Sequence, residues 1–337
     1  MERQDLRARN RKEATSDRCL GFSTRSENRP DSKAGSREAK TVLPIGFRPQ
    51  RTLAAPAEVS GVGFVTGERV RLRFQPAGPD HGVKFVRTDR PGRLSIPALA
   101  SRVSGTERRT TLGRGVDSVT LVEHVLSALS GLRIDNCVIE MDGPEPPGLD
   151  GSAFGYVQAL LKSGTVLQPR PRIIWTVEHP VTASEAGATV TLYPCVNPAD
   201  KSLWISYRLN YGLASPIAPQ MHTVELRPAE YMTELACCRT FILETEAERL
   251  RSQGIGRHLT AEDVLVFGRS GPINNRLRFA NEPARHKLLD LIGDLALCPA
   301  DFAGHLVAYR SGHALNVKLA MRLMQMMEGS RNQYRAA

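Results

Sequence analysis

The segment from Pro283 to Leu297 limits the fold more than any other stretch of this chain. Pro283 and Pro299 bracket it, and its apolar residues fall at helical spacing. On an α-helix each residue turns about 100°, so with His286 at zero Asp290 lies at about 40°, Asp294 at about 80° and Lys287 at about 100°. Leu288, Leu289, Leu291, Ile292, Leu295 and Ala296 fill the arc from about 140° to 300°. The helix therefore has one broad apolar face and one narrow His/Asp/Asp stripe. His and Asp four residues apart can reach one cation, a two-ligand geometry used for zinc. On a solvated face the same stripe would be no more than an i,i+4 contact.

Two other places concentrate reactive residue types: Glu123-His124 and Ser311-Gly312-His313. A His/His/Asp set with an open fourth position is a catalytic type of zinc site, and His124 could supply its third ligand. Glu123, beside it, could take a proton from water. Thr120 and Glu123 also have capping-box spacing, so Glu123 could instead close a helix start, or do both. His313 follows a short turn and opens the last periodic segment, where it could be an ordinary helix-start residue. Gly61-x-Gly63-x-x-x-Gly67 lacks the dinucleotide-binding spacing, and no helix follows it.

The rest of the chain reads as α+β. Residues 1–48 are polar, Arg/Ser/Glu-rich and aperiodic, and read as a disordered basic tail whose deletion should leave fold and turnover nearly unchanged. Strands are expected at 62–65, 70–74, 83–86 and 137–141, and helices at 117–132 and 152–161. Pro169 and Pro171 mark a boundary, giving an N-terminal unit 49–168 and a C-terminal unit 169–337. Beyond it, strands are expected at 173–177, 189–192 and 203–207, and helices at 231–251, 283–297 and 313–328. Strands followed by helices in each half suggest two α+β layers, although no sequence repeat relates the halves.

Composition narrows the function classes. No stretch approaches the roughly 18 uncharged apolar residues of a membrane span. The first forty residues are charged throughout and contain no apolar core of a signal peptide. The six cysteines have no CxxC spacing, which fits free thiols in a reducing compartment, and a cytoplasmic location is the expectation. The net charge is +10, and residues 1–50 hold 12 Lys/Arg against 7 Asp/Glu. No basic helix or interleaved aromatic pattern points to nucleic acid. The modest basic excess suits a nucleotide-sugar substrate or transient contact with a membrane headgroup.

Five segments complete the reading. They are Val119-Thr-Leu-Val-Glu-His-Val-Leu-Ser-Ala-Leu-Ser-Gly-Leu-Arg-Ile-Asp-Asn136, Glu145-Pro-Pro-Gly-Leu-Asp-Gly-Ser-Ala153, Arg239-Thr-Phe241, Arg285-His-Lys-Leu-Leu-Asp-Leu-Ile-Gly-Asp294 and Tyr309-Arg-Ser-Gly-His-Ala-Leu-Asn316. Together, and in this order, they resemble the zinc-dependent UDP-3-O-acyl-N-acetylglucosamine deacetylases of lipid A biosynthesis. The resemblance spans about residues 52–328. It implies two domains, each a small sheet layered with helices, with the active site between them. It implies Zn2+ held by His124, His286 and Asp290, and Glu123 as general base. His313 matches a second catalytic histidine, with Asp294 as its orienting partner, and Thr240 matches a threonine that helps stabilise the oxyanion. Phe241 and Lys287 match substrate-contacting positions. The segment at about 242–267 would be an insert housing the acyl chain of the small-molecule substrate, an acylated UDP-amino sugar. Two features depart from the family pattern. Val65 stands where a histidine is usual, and the Gly-Gly that follows the insert helix is not evident. Both bear on acyl-chain preference and nucleotide contacts, not on the metal. The alternatives are a zinc amidase for another N-acetylated sugar nucleotide and a non-catalytic binding protein on the same fold. Intact Glu123, His124, His286, Asp290 and His313 argue against the second.

Overall fold

The computed structural model describes residues 41–336, with side chains to Ser330. Its framework is two five-stranded sheets. The first has the order Ala57–Val62, Arg69–Pro76, Cys137–Met141, Val83–Arg87, Leu94–Pro97. The second has the order Val181–Glu185, Ala188–Tyr193, Gly304–Tyr309, Leu203–Leu209, Gln220–Glu225. In each, the last strand in sequence is central, antiparallel to one neighbour and parallel to the other. A parallel neighbour requires a crossover, and the segment leading into each central strand carries a helix: Glu123–Gly131 in the first half, Glu282–Leu295 in the second. A second helix follows each central strand, Phe154–Ser163 and His313–Ala336. The halves thus repeat one topology that their sequences do not reveal. Strand chemistry explains the layering. Along Arg69–Pro76, Val70, Leu72 and Phe74 are buried while Arg69, Arg71 and Arg73 are exposed, so one sheet face carries the core.

The two helices that lead into the central strands, one from each half, pack against each other. Gly293 is the reason they can. A Cβ at this position would stand 2.0 Å from the carbonyl oxygen of Glu123. Any side chain there would force the helix axes apart.

Several elements differ from expectation. Residues 42–48, placed in the tail, form the first half of strand Val42–Leu53, which pairs antiparallel with Thr165–Val177. The remainder of the expected tail, 1–40, lies outside the described residues. The boundary read at Pro169 and Pro171 falls inside the partner strand. Pro49 faces Pro171 and Gln50 faces Gln168, so the ribbon bulges where proline cannot donate to the ladder, but it does not end there. Gly63 to Gly67 is a turn, and the strand before it stops at Val62. The helix expected from residue 117 starts only at Glu123, because Leu121 is held at φ 56° just before it. The helix expected over 231–251 is broken. Short helical turns at Pro228–Glu230 and Tyr231–Leu235 precede a strand, Phe241–Leu243, and a separate helix, Glu244–Ser252. Pairing of Phe241–Leu243 with Leu265–Gly268 outweighs the local helical pattern.

The ribbon changes what truncation should do. Arg48 donates to both carboxylate oxygens of buried Asp135, at 2.7 and 2.8 Å, and to Asp301 at 2.6 Å. Deleting residues 1–48 removes this guanidinium and leaves Asp135 short of its main partner. That is expected to cost about 3 kcal/mol, the lower range for breaking a buried pair. Denaturant unfolding of the two chains checks it, and coincident curves would mean the strand's first half carries no stability.

Candidate active site

The stripe on Glu282–Leu295 is not a solvated face. His286 is 1% exposed, Asp290 3% and Asp294 0%. The stripe points at the start of the Glu123–Gly131 helix, whose second residue is His124. Nε2 of His286 lies 3.3 Å from Asp290 Oδ1, and Nε2 of His124 lies 3.5 Å from the same oxygen. One donor atom from each of the three residues falls within 4.8 Å of the others.

Each donor is prepared for a cation. His286 Nδ1–H donates to the Cys238 carbonyl at 3.0 Å, which leaves the Nε2 lone pair facing Asp290. Burial, helped by the charges of His124 and Lys287, outweighs Asp290 and lowers the His286 pKa to about 3, so the ring stays neutral. Burial alone would raise the pKa of Asp290, but its polar neighbours, with the ammonium of Lys287 in direct contact, hold it well below the usual carboxylate range. Lys287 Nζ donates to Oδ2 of Asp290 at 2.8 Å, leaving Oδ1 for the imidazoles. Two imidazoles and one carboxylate are a donor set that fits a divalent ion of the zinc type.

Glu123 does not cap its helix. The residue before it makes no side-chain cap, and Thr120 Oγ1 instead bonds Arg109 Nε at 3.0 Å and Thr111 Oγ1 at 2.8 Å. Glu123 Oε2 accepts the backbone N–H of Thr110 at 3.0 Å. Its carboxyl is 2% exposed, and burial, with Asp294 and Asp290 nearby, raises its pKa against the pull of His313 and His124.

His313 opens the last helix with Nε2 4.0 Å from Glu123 Oε1. Its Nδ1–H donates to Asp294 Oδ2 at 2.9 Å. Burial opposes a charge on this ring, but Asp294 and Glu123 overcome it and raise the pKa to about 9. The ring is therefore an imidazolium at neutral pH. Asp294 is held by two further donors, the Thr110 hydroxyl at 2.6 Å and Asn316 Nδ2 at 2.9 Å.

Phe241 closes one side. Its ring stands edge-on to His286 at 6.1 Å, and to Tyr211 and Phe267 at the same distance. Lys287 Nζ lies 5.8 Å from the Phe241 ring centre. Thr240 is fixed through its backbone, its N–H on the Gly151 carbonyl at 2.8 Å and its carbonyl on the Leu265 N–H at 3.0 Å. Its hydroxyl makes no hydrogen bond among the described residues. Its neighbour Arg239 is buried and bonded to Glu282, Asn275 and the Arg276 carbonyl, which ties the Thr240 segment to the start of the His286 helix. The turn bearing Val65 is held by buried Glu145, which accepts the N–H groups of Val65 and Thr66. His258, from beyond the Glu244–Ser252 helix, bonds the Gly63 carbonyl of that turn at 2.8 Å.

Sequence reasoning did not find Thr110, Asn316 or the Cys238 carbonyl. Thr110 and the Cys238 carbonyl lie outside any periodic segment. Asn316 lies one turn after His313, a spacing that marks a shared helix face. Thr110 joins Glu123 to Asp294 through its N–H and its hydroxyl. Thr110→Val removes only the hydroxyl donor and leaves a buried carboxylate one partner short, an expected loss of about 1–3 kcal/mol. Thr110→Ser should keep most of the stability. Urea unfolding that fails to separate the two variants would remove the hydroxyl from this account.

The family model for UDP-3-O-acyl N-acetylglycosamine deacetylases (LpxC) matches residues 50–325. A UDP-3-O-acyl-N-acetylglucosamine deacetylase of Thermosynechococcus vestitus is 41% identical over 283 residues, covering 84% of this chain and 96% of that protein. One from Geobacter sp. strain M21 is 36% identical over 277 residues, covering 82% and 89%. One from Myxococcus xanthus is 37% identical over 276 residues, covering 82% and 86%.

Proposed function

We propose an assignment of residue roles from the premise that this chain belongs to the family of UDP-3-O-acyl N-acetylglycosamine deacetylases. The enzyme is a hydrolase of lipid A biosynthesis that removes the acetyl group from UDP-3-O-acyl-N-acetylglucosamine, giving the free amine and acetate. The observation that carries the role assignment is one convergence. The His124/His286/Asp290 set lies beside a buried Glu123, which faces a His313 paired with Asp294.

In this reading His124, His286 and Asp290 hold Zn2+. When bound there, zinc supplies a Lewis acid for the acetyl carbonyl and lowers the pKa of water toward about 7. Glu123, ionised but with a raised pKa, takes the proton of the attacking water. His313, already an imidazolium, keeps its Nδ1 side on Asp294 and turns its Nε2–H toward the developing oxyanion, with Thr240 as a second donor. The departing amine takes its proton from the Glu123/His313 pair. Lys287 and Phe241 line the substrate's path. The aromatic cluster of Tyr211, Phe241 and Phe267 supports placing the acyl chain along residues 242–267. The reading takes 49–168 and 169–337 as two domains meeting at the site, since each supplies one of the helices. No helix among the described residues is long and apolar enough to cross a membrane. A cytoplasmic enzyme that touches a membrane surface to collect an acylated substrate fits this picture.

Two variants separate metal from base. His286→Ala should lose most bound zinc by metal analysis. Glu123→Gln should keep zinc and lose about 10²–10⁴ in turnover. Product mass spectrometry with the acylated UDP-sugar reads the second, and activity within about threefold of the parent would return Glu123 to a structural role.

The pH profile tests His313. Its pKa is raised from 6.5 to about 9, so the folded state favours the charged ring. The stability this lends is fully present below 6.5 and is lost as pH rises through about 9. kcat/KM should be bell-shaped, with an acidic limb from protonation of Glu123 and a basic limb near 9. Both limbs belong to the coupled pair. His313→Gln keeps a donor but cannot titrate, so its basic limb should move or vanish. A limb unchanged in place and steepness would assign it to another group.

A further inference from the structure

At the ends of Glu123–Gly131 and Glu282–Leu295 remote from the site, a cavity of about 720 Å³ opens between the two halves. That volume lies in the range of small-molecule sites, about 300–1,000 Å³. Its accessible apolar lining comes from Phe47, Pro97, Leu99, Ala296 and Pro299, above the buried side chains of Leu126, Leu129, Ile292 and Phe302.

Its charges do not balance. The carboxylates on its wall are all engaged. Asp135 and Asp301 are held by Arg48 and Arg172, Glu225 by Arg227 at 2.6 Å, and Asp80 by Arg170 at 2.7 Å. Lys84, Arg133 and Lys201 also line the cavity, and among the described residues their side chains make no hydrogen bond or ion pair. Burial, followed by the guanidiniums of Arg48, Arg51 and Arg227, pushes the Arg133 pKa below its ordinary value against Asp301.

The backbone at Arg133 adds an independent observation. The Glu123–Gly131 helix ends with Arg133 N–H on the Ser130 carbonyl and Ile134 N–H on the Leu129 carbonyl, with Arg133 at φ 57°. This left-handed position after a helix is where glycine is usual, because a Cβ strains it. The chain accepts that strain and sets at the cavity a guanidinium that has no partner among the described residues.

We propose that this cavity binds an amphiphilic anion, a single acyl chain ending in a phosphate or carboxylate. The chain lies against Phe47, Leu99, Ala296 and Pro299, and the head meets Arg133, Lys201 and Lys84. None of the residues assigned a role in the reaction lines this cavity, so the inference stands apart from the proposed chemistry.

The test is calorimetric titration of the full chain with decyl phosphate, with decanol and inorganic phosphate as separate arms. Decyl phosphate should bind at least about tenfold more tightly than either control. Arg133 and Lys201 are exposed, so the double variant Arg133→Glu with Lys201→Glu should fold, which its melting curve verifies. It should bind decyl phosphate at least about tenfold more weakly. Ser130→Trp fills the cavity mouth with the cations intact and should weaken binding as much. Because decyl phosphate could also enter the acyl path beside the metal ligands, these two variants decide the matter. Unchanged affinity in both overturns the proposal, as does equal binding of decanol and decyl phosphate to the parent.

Discussion

The site depends on one close contact between two helices. Glu123–Gly131 comes from the first half and Glu282–Leu295 from the second, and they touch where Gly293 lies against the Glu123 carbonyl. That contact fixes Glu123 and His124 over the His286/Asp290/Asp294 stripe. Three of these residues offer their donor atoms within 4.8 Å of one another. A helix pair held apart by even one methyl group would separate them, because close-packed helices have no slack to absorb it. Glycine here is a spacing device and needs no unusual backbone angle.

The contact also places three carboxylates, Glu123, Asp290 and Asp294, in nearly complete burial. Burying charge is costly unless each group is paired or hydrogen-bonded. The three are answered differently, and this sets their chemistry. Asp290 has Lys287 on one oxygen and two imidazoles near the other, and it stays ionised. Asp294 has His313, Thr110 and Asn316 and serves as the counter-ion of an imidazolium. Glu123 has one backbone donor and a histidine 4.0 Å away, and burial raises its pKa. One apolar enclosure thus gives three carboxylates three different settings.

The same helices reach from the site to the cavity at their far ends. At the site the buried charges are paired, whereas among the described residues Lys84, Arg133 and Lys201 at the cavity make no ion pair. Arg133 shows the contrast best: among the described residues its guanidinium makes no hydrogen bond or ion pair.

The sequence by itself determined the local facts. The helix with its His/Asp/Asp stripe, the half-buried Arg69–Pro76 strand and the motif order were legible because period and burial follow from side-chain chemistry in a single segment. It also singled out His124, His286, Asp290, Glu123 and His313, whose side chains the fold brings together. What it could not decide were matters of pairing between distant segments. Residues 42–48 looked like tail because a strand's partner, here Thr165–Val177, leaves no trace in its own composition. The long helix expected over 231–251 gave way to a strand because Leu265–Gly268 was waiting to pair with it. Glu123 looked like a cap for Thr120 until the fold brought Thr110 to its carboxylate. Tertiary structure alone decided which of these partners met, because a buried carboxylate or an unpaired strand takes the partner that packing delivers, whatever its distance along the chain.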